Sequence, residues 1–147
     1  MNDVDNHVRL HIYERFVAAG EPPSHTETAT ALGLGEDDAR DAYRRLAEQR
    51  VIVLAPGSLA IWMANPLSAY PTGYWVDTPR RGFWGNCIWD GFGVIAMLGD
   101  SGRVKTSCPD CGDAMELRVT GGELEPAEGV AHFAVPARRW WENIGYT

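Results

Sequence analysis

Val51-Ile52-Val53-Leu54-Ala55-Pro56-Gly57-Ser58-Leu59-Ala60-Ile61-Trp62 sets two short apolar runs around a Pro-Gly dipeptide. Runs of this length broken by a turn signal read as a β-hairpin. The chain before the hairpin reads as helical. Val4, Val8, Ile12 and Phe16 recur every four residues and place one apolar stripe on a first helix. Gly20 and Pro22-Pro23 stop that helix. Ser24-His25-Thr26-Glu27 has capping-box spacing, so a short second helix starts there and ends near Gly33. Glu36, Asp37 and Asp38 open a third helix, where their charges suit the positive end of the helix dipole. Ala39, Ala42, Tyr43 and Leu46 are its expected buried face. Three helices followed by a two-stranded wing make the winged helix-turn-helix pattern.

That pattern invites a DNA-binding reading, and the charges oppose it. The third helix carries Arg40, Arg44, Arg45 and Arg50 against Glu36, Asp37, Asp38, Asp41 and Glu48. Up to Asn65 there are six arginines and ten carboxylates, a balance of −4, and the whole chain stands at −7. Such a surface is a poor clamp for phosphates, so nucleic acid is not the expected partner, and the helices read as a scaffold packed on the second region of the chain. With 147 residues there is room for one compact domain or two small units sharing a core. The 45% hydrophobic and 22% charged composition is that of a folded globule. No run approaches the ~20 apolar residues that cross a bilayer. Met1-Asn2-Asp3-Val4-Asp5 is acidic and lacks the apolar segment of a secretory signal. Three cysteines, an odd number without a signal, point to reduced thiols and a cytoplasmic location.

All six tryptophans and all three cysteines lie beyond residue 60. The shift in composition divides the chain into residues 1–65 and 66–147, with Pro66–Pro71 as the seam. In the second part, Phe83-Trp84-Gly85-Asn86-Cys87-Ile88-Trp89-Asp90-Gly91-Phe92-Gly93-Val94-Ile95-Ala96-Met97-Leu98-Gly99 is the most informative stretch. Val94–Leu98 is apolar throughout, which suits a buried helix turn or a buried strand. If the segment is helical, Cys87 and Asp90 stand at i and i+3 on one face, within reach of a single bound atom. The sulfur of such a pair can bind a soft metal or attack an electrophile, while the carboxyl delivers or accepts a proton. Free cysteines also commonly just pack, so the spacing is compatible with a plain core role. The aromatics Phe83, Trp84, Trp89 and Phe92 are candidates for the wall of an apolar pocket.

Cys108-Pro109-Asp110-Cys111-Gly112 has the form of a metal knuckle, but no second such pair completes a four-ligand zinc site. Met115–Val119 alternates as a strand, which argues against a thioredoxin-type redox motif. The pair is read as two thiols that capture a soft ion, oxidise, or only shape a turn. His7 and His11 are expected at the surface, and His132 in a strand over Val130–Val135. The nucleophile elbow, the phosphate loop and the three-glycine dinucleotide fingerprint are absent from the sequence.

The order of these parts resembles the alkylmercury (organomercurial) lyases over most of the chain. The resemblance is firmest at Asn86-Cys87-Ile88-Trp89-Asp90 with its apolar run to Gly99, and from Val104 to Val119. It implies an α+β fold: a winged-helix-like three-helix unit, then a small mixed sheet with flanking helices. It implies protonolysis of a carbon–mercury bond, releasing hydrocarbon and Hg(II), and hence a detoxifying enzyme. Cys87 corresponds to the mercury-binding catalytic thiol and Asp90 to the proton-handling carboxyl. Cys108 corresponds to a structural family cysteine, whereas Cys111 is an addition and the candidate third mercury ligand beside Cys87 and Asp90. The family's second catalytic cysteine comes after a segment like Trp140–Tyr146, so the resemblance implies that it would come just after Thr147. No resident cofactor is implied, since mercury belongs to substrate and product. The implied partners are a small organomercurial and, for the released Hg(II), acceptor thiols or a mercuric reductase. Two readings stand beside it: a thiol-based mercury or copper binder or sensor without turnover, and a winged-helix regulator with a metal-sensing C-terminal part.

Overall fold

A computed structural model describes residues 2–145. Its first helix, α1 (Asp3–Ala19), is capped by the Asn2 side chain, which accepts the Asp5 N–H at 2.8 Å, and ends at Gly20 in the left-handed region. Val8, Ile12 and Phe16 are buried as the stripe requires, but Val4 is exposed. A carboxylate takes its place: Asp5 is only 1% exposed and is gripped by Arg45, whose Nε and Nη2 donate to it at 2.7–3.2 Å. A charge survives such burial because the guanidinium fork neutralises it and fills its lone pairs. Helix α2 (His25–Leu32) starts on the expected capping box, with Ser24 and Glu27 bonding reciprocally, and ends at Gly33. Helix α3 (Glu36–Glu48) buries Ala39, Ala42, Tyr43 and Leu46 as read from the sequence. The Tyr43 hydroxyl donates to the Pro23 carbonyl at 3.0 Å and meets the Thr28 hydroxyl at 2.8 Å, tying the second and third helices together.

The strands are β1 (Val53–Leu54), β2 (Ile61–Ala64), β3 (Leu67–Ser68), β4 (Trp75–Asp77), β5 (Gly82–Gly85), β6 (Gly102–Ser107), β7 (Ala114–Thr120) and β8 (Glu123–Leu124). Among the described residues they form one sheet in the order β1-β2-β3-β5-β4-β6-β7-β8, so the hairpin of the first region and the strands of the second share one ladder system. The hairpin is shorter than its apolar runs. Only Val53 and Leu54 pair, with Met63 and Ile61, while Ile52 is buried in the core outside the ladder. Each ladder is antiparallel, which corrects the expectation of a mixed sheet. The reason lies in the connections: short turns can only reverse a strand, and parallel neighbours need a long crossover. The long connection here, through α4 (Ile88–Leu98), runs from β5 to β6, and β4 lies between those two strands.

The segment Val130–Val135 is not a strand, contrary to its alternating pattern, and His132 is exposed in irregular chain. Alternation needs a ladder partner to become a strand, and after β8 this segment makes none. It instead lies over an apolar hollow lined by Ile88, Phe92 and Leu117. The chain then forms a 3₁₀ turn, Ala137–Glu142.

One hydrophobic core joins helices and sheet, with Phe16, Tyr43 and Leu46 continuous with Val76, Phe83, Val94, Ile95 and Val104. The ambiguous apolar run is helical: α4 buries Val94 and Ile95 against the sheet and exposes Ala96 and Met97. Its first turn sits against the end of β5 because glycine allows it. A Cβ at Gly85 would meet the Gly91 nitrogen at 2.8 Å, closer than real Cβ contacts come. Gly85→Ala is therefore expected to force α4 off the strand and to cost about 1–3 kcal/mol, as overpacking does. Thermal unfolding checks this, and an unchanged Tm would show that the close contact does not constrain the helix. No described helix is long and apolar enough to cross a membrane.

Candidate active site

Between β5 and α4 stand only Asn86 and Cys87, and Cys87 is the N-cap of the helix (φ −145°, ψ −176°). Asp90 is then the third helical residue. Cys-x-x-Asp thus sits where a capping box would carry Ser-x-x-Glu, and Asp90 does reach back to the Cys87 N–H. The cap forces the two side chains together. The Cys87 thiol donates to Asp90 Oδ2 at 3.4 Å. Its sulfur makes no regular capping bond, although the N–H groups of Asp90 and Trp89 are near enough to favour its anion.

Burial dominates both groups. It pushes the Cys87 thiol up to about 11, with the neighbouring Asp90 charge adding to the rise. It also raises Asp90 above the usual carboxylate range, against the lowering effect of hydrogen bonds from Cys87 and Asn86. Neither group readily holds a negative charge beside the other, so the pair holds a proton tightly. The Asn86 amide is the second partner of Asp90 and also donates to Asn65 Oδ1 at 3.0 Å. Asn65 is fixed in turn by Tyr13 of α1, whose hydroxyl donates to its carbonyl at 2.8 Å. Burial raises the Tyr13 hydroxyl too, so it remains a donor. The Asn86 Oδ1 is buried without a partner among the described residues.

Cys87 and Asp90 open into a cavity of about 500 Å³. Met63, Asn65 and Ser68 come to it from the β2–β3 hairpin, Tyr70, Thr72 and Tyr74 from the chain leading to β4, and Trp89 from the helix start. Trp140, Trp141, Ile144 and Gly145 close the wall from the far end of the chain. That last segment is held by the first region: the Arg50 guanidinium lies 5.2 Å from the Trp141 ring centroid, and Gly145 packs against the Trp62 ring. Of the four aromatics proposed as a pocket wall, only Trp89 lines this cavity. Phe83 is core, Trp84 packs edge-on against Trp75 at 4.7 Å, and Phe92 lines the smaller hollow on the other side of α4.

Cys111, the third candidate ligand, does not line the cavity of Cys87 and Asp90; it is exposed in the β6–β7 turn with Cys108. No group of three or more His, Cys, Asp or Glu residues gathers into a cation site among the described residues. His7 and His132 are exposed and His11 half-buried, away from the cavity. Tyr146 and Thr147, just after which the resemblance implies a second catalytic thiol, lie outside the described residues. Sequence reasoning missed Asn65, Asn86 and the Trp140–Trp141 wall. Two adjacent tryptophans shortly after Pro136 were the available signal.

The thiols of Cys87 and Cys108 stand in opposite environments. Backbone N–H groups of Cys111 and Asp110 hold the Cys108 thiol below the usual range, whereas Cys87 is pushed up. A thiol reacts through its anion. Iodoacetamide at mildly alkaline pH is therefore expected to label Cys108 well before Cys87, as site-resolved mass spectrometry would show. Earlier labelling of Cys87 would contradict the buried thiol.

The α3 arginines are occupied within the chain. Arg40 pairs with Asp37 and Glu36, Arg44 with Asp41, and Arg45 with Asp5.

The family model for alkylmercury lyase matches residues 67–147, which is 81 of the 147 residues. No curated protein matches the sequence. Among solved structures, the crystal structure of the mercury-bound form of MerB2 superposes with a TM-score of 0.66 at 17% identity, over 86% of this chain and 60% of that one. At that identity the likeness is one of fold, and the chain spans about three fifths of the length of that relative. The family match covers both Cys87–Asp90 and the Trp140–Trp141 wall, and by it the chain belongs to the alkylmercury lyase family.

Proposed function

We propose that this chain cleaves carbon–mercury bonds by protonolysis, with Cys87 as the mercury ligand and Asp90 as the proton carrier. The observation that carries the reading is the 3.4 Å contact from the Cys87 sulfur to Asp90 Oδ2 at the edge of an aromatic-walled cavity. Mercury is soft and prefers a thiol to any oxygen or nitrogen in that cavity. When an organomercurial cation R–Hg⁺ arrives, an S–Hg bond forms as the S–H bond breaks, and the proton passes to the Asp90 carboxylate. The raised affinity of that carboxyl for a proton suits it to receive one. Donation from sulfur then loads electron density onto the mercury-bound carbon. Asp90 returns the proton to that carbon, the carbon–mercury bond breaks, R–H leaves, and Hg(II) stays on sulfur. Atoms and charge balance, and Asp90 ends as the carboxylate it was.

The surrounding residues have matching tasks. The Asn86 amide holds the carboxyl toward the sulfur, and Tyr13 and Asn65 hold Asn86. Trp89, Trp140 and Trp141 supply apolar surface for the organic group and reduce access of water, which strengthens the proton transfer. The pairing of the α3 arginines with nearby carboxylates speaks against a phosphate-binding role for that helix.

The test is to incubate the full chain, in the presence of excess small thiol, with phenylmercury or methylmercury and to measure benzene or methane by gas chromatography. Catalytic release supports the reading. Stoichiometric mercury uptake without hydrocarbon would overturn it and leave a binder.

A further inference from the structure

We propose that Cys108 and Cys111 form a second, two-thiol binding site for Hg(II), separate from the cavity at Cys87. The turn that joins β6 to β7 brings the two together. The Cys108 N–H donates to the Asp113 carbonyl at 2.8 Å, and the Gly112 N–H donates to the Cys108 carbonyl at 2.9 Å. Gly112 takes a positive φ of 79°, which lets the turn close over the few residues between the cysteines. In the closed turn the Cys111 thiol reaches the Cys108 sulfur, and the N–H groups of Cys111 and Asp110 point to that same sulfur. Both cysteines are free thiols; Cys108 is half-buried and Cys111 is exposed.

This donor set favours soft ions of low coordination number. Zinc in a structural site wants four ligands, and the described residues gather no third His, Cys, Asp or Glu around the pair. Soft ions that favour thiolates and are satisfied by two of them fit, Hg(II) among them. On binding, two S–Hg bonds form, two S–H bonds break, and two protons go to solvent. Neither sulfur lines the cavity of Cys87. Ser107 and Pro109, beside the pair, line a smaller hollow of about 250 Å³ with Ile88 of α4, and Tyr74 borders both spaces. The turn that carries the dithiol thus borders a hollow that Ile88, the neighbour of Cys87, also lines. Binding itself does not depend on the lyase reading, because it needs only the two turn thiols.

The experiment uses the 147-residue chain carrying Cys87→Ser, titrated with mercuric chloride, with remaining thiols counted by an aromatic disulfide reagent. Two thiols lost per Hg(II), in a complex that stays monomeric by native mass spectrometry, is the expected result. Adding Cys111→Ser, an exposed change that circular dichroism should find folded, is expected to weaken Hg(II) binding by roughly 10²–10⁴-fold in competition against a small monothiol, since the second sulfur then comes from another molecule. One thiol lost per Hg(II), mercury-bridged dimers, or an affinity unchanged by Cys111→Ser would each overturn the site. Cleavage measured separately on the chain with Cys87 intact keeps failure of this site distinct from failure of the lyase reading.

Discussion

Cys87→Ser is expected to give a folded protein that releases no benzene from phenylmercury and no methane from methylmercury above the uncatalysed background. Serine is a preferred N-cap residue, so α4 should start at least as well on it as on cysteine. The hydroxyl can still donate to Asp90, so the local hydrogen bonding survives. What is lost is the soft donor: an alcohol oxygen does not compete for mercury and cannot push electron density onto the carbon. Circular dichroism and thermal unfolding separate this loss from misfolding. Hydrocarbon release at the parent rate by a folded Cys87→Ser protein would sink the assignment of Cys87.

Asp90→Asn separates binding from bond cleavage. The amide can still accept the Cys87 N–H, so the cap persists, and mercury should still be captured by the thiol. With no carboxyl to carry the proton, hydrocarbon release should fall by roughly 10²–10⁴-fold, the usual worth of general acid catalysis. The same variant is expected to be more stable than the parent near neutral pH. Burial raises Asp90 above its ordinary range, so the ionised carboxylate is penalised in the folded state. A group raised on folding stabilises below its unfolded pKa, about 3.9 for Asp, and that contribution is lost as pH rises through the folded value. Asparagine removes the penalty, so its advantage should be present at neutral pH and vanish as pH falls below about 4. A Tm difference that stays constant from neutral to acid would show that the Asp90 charge is not the cause. Unchanged release rates would remove Asp90 from the mechanism.

Local physics made much of this protein readable from its order of residues. The capping box of α2, the helix-ending glycines and the buried face of α3 involve residues within a few positions of each other, and they stand where the sequence places them. The meeting of Cys87 with Asp90 belongs to the same class, because the first turn of a helix alone joins an N-cap to its third residue. Long-range partners could not be read in this way. Asp5 occupies a core position only because Arg45, forty residues on, arrives to neutralise it. Val130–Val135 has a strand's alternation, yet it finds no ladder to join. The parallel neighbours of a mixed sheet vanish because β4 inserts between the strands that α4 connects. The cavity itself is a tertiary product. Asn65 from a hairpin, Tyr13 from the first helix and Trp140–Trp141 from the far end converge on one helix start. The chain's order determined which atoms could do the chemistry, through periodicity and capping. Packing decided their surroundings, because burial and the pKa shifts it causes depend on which distant segments close over them.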